Sequence, residues 1–60
     1  MKIPTLPEII TIEEILIDAD KHSLRIEVRE TAEKIWSEKR DEEEFTLLDA
    51  YHLAYHEWVK

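Results

Sequence analysis

The sequence predicts an all-α fold, a small helical hairpin or three-helix bundle completed by homodimerisation. Three observations carry this expectation. Glycine is absent and the two prolines, Pro4 and Pro7, fall within the first seven residues. Tight primed hairpin turns, which need positive φ, therefore lack their usual residue. Apolar side chains recur at helical spacing through most of the chain, and charged residues pair at i, i+4 between them. Finally, 60 residues without a cysteine give neither a large core nor a disulfide to reinforce a small one. A second copy is then expected to supply the missing burial.

The chain is read as a single domain over residues 1–60. Residues 1–10 are expected to form an extended arm, because the residue before each proline is biased away from the α region. Ile3, Leu6, Ile9 and Ile10 would anchor it across the domain or a neighbouring subunit. Thr11-Ile-Glu-Glu14 has capping-box spacing, and Ile12, Ile15, Leu16 and Ala19 follow at i, i+3, i+4 and i+7. This places a first helix at about residues 12–20. The alternation of Ile15, Ile17, Ala19, Leu24, Ile26 and Val28 supports an α+β alternative, a β-hairpin over residues 15–28 followed by two helices.

A break near Asp20 to Ser23 is needed because the apolar face rotates between Ala19 and Val28. Ser23 is the candidate N-cap of a second helix, at about residues 24–40. Leu24, Val28, Ala32, Ile35 and Trp36 trace its apolar face. The Glu30, Lys34, Glu38 ladder and the Arg29 with Glu33 pair support it from the polar side. Asp41 to Glu44 is the one charge run, and both Asp41 with Glu44 and Thr46 with Asp49 offer caps for a last helix at about residues 46–60. Leu47, Tyr51, Ala54, Tyr55 and Trp58 share one face of that helix, widened by Leu48 and Val59. Four of the five aromatic residues lie between Phe45 and Lys60.

The formal charge of −7, from fifteen acidic and eight basic residues, repels nucleic acid and anionic membranes and suits a partner with a basic surface. A nucleic-acid-reading last helix would carry Arg, Lys, Asn or Gln outward, whereas this one shows Asp49, His52, His56 and Glu57. Direct nucleic-acid binding is not expected. No apolar run exceeds three residues, as at Ile15 to Ile17, so no signal peptide or membrane span is read and a cytoplasmic location follows by default. The absence of glycine removes phosphate-binding and dinucleotide loops.

Enzymatic activity is not expected, since the carboxylates fall in ladders and caps and so small a bundle has little interior for a site. No cofactor is expected. No metal site is expected either; Asp49, His52 and His56, on one face at i, i+3 and i+7, are the one outside candidate. The function that remains is that of a small acidic regulatory or protein-interaction protein acting by helix docking. Its expected interface comprises Trp36, Phe45, Leu48, Tyr51, Tyr55 and Trp58. One alternative is an acidic inhibitor or antitoxin-like protein whose patch at Asp41, Glu42, Glu43 and Glu44 blocks the basic site of a nucleic-acid-binding target. Another is a metal-binding protein using the His52 and His56 pair.

Overall fold

The computed structural model describes residues 3–59. They form α1 (Leu6–Lys21), α2 (Arg25–Lys39) and α3 (Leu47–Trp58), with no strand among the described residues. Met1, Lys2 and Lys60, at the outer ends of the expected arm and last helix, lie outside them. The hairpin alternative over residues 15–28 is overturned. Burial there follows a helical period: Ile12 and Ala19 are buried and Ile15 is half-buried, while Ile17, on the strand face that Ile15 would share, points outward.

The first helix begins earlier than the sequence suggests, and residues 6–10 are helical rather than extended. Thr5, not Thr11, is the N-cap. Its Oγ1 accepts from the Glu8 backbone N–H at 3.4 Å, and the Glu8 carboxylate accepts in return from the Thr5 N–H. Pro7 fits the first turn because its missing N–H is one that no helix would have used there. The pre-proline bias on Leu6 is outweighed by this cap. Thr11 is an interior residue whose hydroxyl donates to the Pro7 carbonyl at 3.0 Å.

The break between α1 and α2 falls where the rotation of the apolar face requires it, but Ser23 is not an N-cap. It adopts φ 60 and follows the C-cap His22. The Ser23 N–H donates to the Asp20 carbonyl at 3.0 Å and the Leu24 N–H donates to the Ala19 carbonyl at 2.9 Å. These are the two bonds of a Schellman closure, with serine in the left-handed position that glycine ordinarily takes. Leu24 packs half-buried against the core cluster and is itself the N-cap of α2, with no side-chain capping bond.

Residues 40–46 lead to α3, with Asp41 to Glu44 in turns rather than at the cap. The cap is the Thr46 and Asp49 box. The Thr46 N–H donates to the Asp49 carboxylate at 3.0 Å, and the Asp49 N–H donates to Thr46 Oγ1 at 3.1 Å. Phe45, just before it, stacks on Trp36 with centroids 6.3 Å apart, and the Lys39 ammonium sits 5.6 Å from the Phe45 ring.

The helices run up, down and up. Trp36, late in α2, meets Phe45 at the start of α3, while the indole N–H of Trp58, at the end of α3, donates to Thr31 Oγ1 at 2.9 Å. The last two helices are therefore antiparallel, and their contact is the most extensive in the bundle. On the other side, the Tyr55 hydroxyl donates to the Asp18 carboxylate, which pairs the C-terminal ends of α1 and α3. The buried core is Ile12, Ala19, Val28, Ala32, Ala50, Tyr51 and Ala54. Four of these are alanines, so methyl groups line much of the seam between the helices. The bulkier Ile15, Leu16, Leu24, Ile35, Trp36, Phe45, Leu47 and Leu48 pack half-buried around it.

Candidate functional site

The expected aromatic interface is largely absorbed by the fold of one chain. Tyr51 is a core residue, only 7% exposed, and Trp36, Phe45, Leu48 and Tyr55 are half-buried. Trp58 alone of the six stays substantially open, at 45%, with its indole N–H tied to Thr31. Both tyrosines hold their protons more tightly than the ordinary value near 10. For Tyr51 burial is the main cause, helped by the Glu33 charge and opposed by Arg29. Arg29 and Glu33 pair with each other at 3.2 Å. For Tyr55 the leading cause is its hydrogen bond to Asp18, followed by burial and by the Asp18 charge.

Asp41, Glu42, Glu43 and Glu44 are all exposed, on a connection that the Trp36, Phe45 and Lys39 stack holds at one end. The same end of the bundle carries a shallow cleft of about 200 Å³ lined by Ile3, Pro4, Glu8, Trp36, Thr46 and Leu47. Its polar members, Glu8 and Thr46, are committed to the two capping boxes. That leaves an apolar dent, with no group in it placed for chemistry.

Asp49, His52 and His56 are exposed along one side of α3. Among the described residues no three His, Cys, Asp or Glu side chains gather where they could hold a metal ion. The Asp49 carboxylate is instead the reciprocal partner of the Thr46 cap. No charged side chain among the described residues is buried, and no helix among them is long and apolar enough to cross a membrane.

A surface outside the expected aromatic set lies on α1, where Leu6 and Ile10, expected as anchors of an extended arm, join Ile17 on a helix. Leu6, Ile10 and Ile17 are 69%, 48% and 60% exposed. At i, i+4 and i+11 they fall within about 40° of arc on the helix, on the side turned away from Ile12, Ile15 and Ala19. Ile9, 40% exposed, lies on the flank. The signal was available: Thr5 and Glu8 have the same capping-box spacing as Thr11 and Glu14, and starting the helix there brings these side chains onto one outer face.

Comparison with family models, with curated proteins and with solved structures finds no match to this chain.

Proposed function

We propose that this chain is a small, non-enzymatic protein-interaction module of regulatory type that docks through a helix face. The observation that carries the proposal is the outward stripe of Leu6, Ile10 and Ile17 on a helix whose opposite face already fills the core. Large apolar side chains aligned on an exposed face are what a docking surface requires. The carboxylates of Glu8 and Asp49 are taken up by helix caps and that of Glu33 by Arg29, which supports a binding role over catalysis. A cytoplasmic setting remains part of this proposal.

A second reading keeps the acidic loop as the working surface. Four consecutive exposed carboxylates on an anchored connection could occupy the basic site of a nucleic-acid-binding target. The two readings separate in a pull-down from the native cell using two variants, Ile10→Ser with Ile17→Ser, and Asp41→Asn with Glu42→Gln, Glu43→Gln and Glu44→Gln. Loss of a captured partner with the first variant alone supports helix docking. Loss with the second alone, together with capture that weakens steeply in salt, supports the acidic mimic. A partner retained by both variants overturns both.

A further inference from the structure

We propose that the outer face of α1, Leu6, Ile10 and Ile17 with Glu13 and Glu14 set between the last two, is the docking site for a cationic amphipathic helix of a partner protein. This rests on the reading of the chain as an interaction module and specifies what the module binds. Three features of the surface select that occupant.

The first is area. With Ile9 on its flank, the stripe leaves on the order of 400 Å² of apolar surface open, within the range of the largest patches that single chains expose. The total surface of 4658 Å² also exceeds the roughly 4,100 Å² expected of a monomer of this mass. A patch of this size falls below the roughly 800 Å² per partner of a standard interface. It suits one helix laid along another, in a complex that forms and dissociates readily.

The second is shape. The stripe is narrow and follows the helix axis from Leu6 to Ile17, with Glu13 and Glu14 in the turn between Ile10 and Ile17. A helix carrying apolar side chains at i, i+4 and i+7 or i+11 matches it, whereas a flat or globular partner would leave its ends uncovered.

The third is charge. Glu13 and Glu14 sit between Ile10 and Ile17, and Asp20 follows beyond; all three are exposed. Lys21, at the far end, is the one basic residue of α1. A second copy docked antiparallel would bring Glu13 and Glu14 within about a turn of their own equivalents, like charge against like, and would join two chains of −7 each. An anionic bilayer would meet the same repulsion. Lysines or arginines beside the apolar residues of a partner helix turn these carboxylates from a penalty into a guide for encounter.

The test titrates the full-length, isotopically labelled protein with a synthetic 18-residue Leu and Lys peptide patterned as an amphipathic helix. A control peptide has the same composition, scrambled so that the leucines share no face. The expected result is a set of amide shift changes concentrated between Leu6 and Lys21, with affinity that falls as salt rises. Ile10→Ser with Ile17→Ser should weaken binding about tenfold or more while leaving the circular dichroism spectrum unchanged. Glu13→Gln with Glu14→Gln should weaken it and flatten the salt dependence, and this second variant keeps the test decisive if the first misfolds. The scrambled peptide should bind at least tenfold more weakly than the patterned one.

The proposal is overturned if both peptides bind alike, if the shifts centre on Asp41 to Glu44, or if no binding occurs at millimolar peptide. It is equally overturned if the protein sediments as a dimer that Ile10→Ser dissociates, since a second copy would then be the occupant. A pull-down partner lost with the Ile10 and Ile17 variant, alongside silence toward the cationic peptide, would leave helix docking standing and remove only the cationic helix.

Discussion

Among the described residues Val28 is the largest side chain buried completely, at 0% exposure, and Val28→Ala is the most direct probe of how the three helices hold together. The substitution removes two methyl groups from the middle of the seam, worth about 1.6 kcal/mol in transfer free energy. A cavity of up to about 50 Å³ would add roughly 1 kcal/mol more if the helices do not collapse into it. Alanine returns about 0.5 kcal/mol through its higher helix propensity. The expected net loss is about 2 kcal/mol, which is a large share of the roughly 3–5 kcal/mol that a core in a chain of this size supplies. At about 4–8 °C per kcal/mol for a small domain, the melting temperature should fall by about 8–16 °C.

Urea and thermal unfolding, followed by far-ultraviolet circular dichroism and by tryptophan fluorescence, measure this loss. Ile26→Ala is the matched control, on the same helix but 66% exposed; it should be neutral or slightly stabilising. If Val28→Ala costs less than about 0.5 kcal/mol, or Ile26→Ala costs as much as Val28→Ala, then α2 does not turn its Val28 and Ala32 face into the bundle.

Three further outcomes are expected. Ser23→Gly should raise stability by about 0.5–1 kcal/mol, because relieving a left-handed residue of its Cβ outweighs the extra chain entropy of glycine; an unchanged or lower melting temperature would contradict the Schellman closure. Thr46→Ala should cost about 1 kcal/mol by opening the capping box of α3, and a loss confined to the first turns of α3 should be visible in amide exchange. Both tyrosines should ionise above the ordinary value near 10 in the folded chain and return to it in denaturant, as read by absorbance at 295 nm. Since folding raises both values, the corresponding stability is fully present below pH 10 and is lost as pH rises through the folded values; Asp18→Asn should bring the Tyr55 component back down.

Much of the helical frame could be read from residue order. The face of Ile12, Ile15, Leu16 and Ala19 and that of Leu24, Val28, Ala32, Ile35 and Trp36 both pack inward, and the change of face between Ala19 and Val28 marks the break that Ser23 makes. The start of α1 was obscured because Thr5 with Glu8 and Thr11 with Glu14 are identical in spacing. Pro7 argued for the later one, although a proline in the first turn forfeits no hydrogen bond. The composition of the core was obscured for a different reason. Periodicity weights bulky side chains, yet here the centre is taken by alanines, and Trp36, Phe45 and Leu48 are displaced to its edges.

The same difference separates the expected surface from the observed one. Asp41 to Glu44 are exposed, as a charge run between helices implies. Of the aromatic set expected at an interface, Tyr51 is taken into the core and Trp36, Phe45 and Tyr55 are half-buried, while Leu6, Ile10 and Ile17 stand exposed on the back of α1. Only the corrected start of that helix puts Leu6 in phase with Ile10 and Ile17.

The methyl seam also sets how the molecule responds to temperature. Ala19, Ala32, Ala50 and Ala54 bring the helices together while withdrawing little hydrocarbon from water, and the heat-capacity increment of unfolding scales with the hydrocarbon newly hydrated. The increment should therefore lie below the usual range of about 12–15 cal/mol/K per residue, which gives a stability curve that is low and flat rather than tall and arched. Modest stability would then change little between cold and warm surroundings, and the back of α1 would be offered to solvent in the same form throughout.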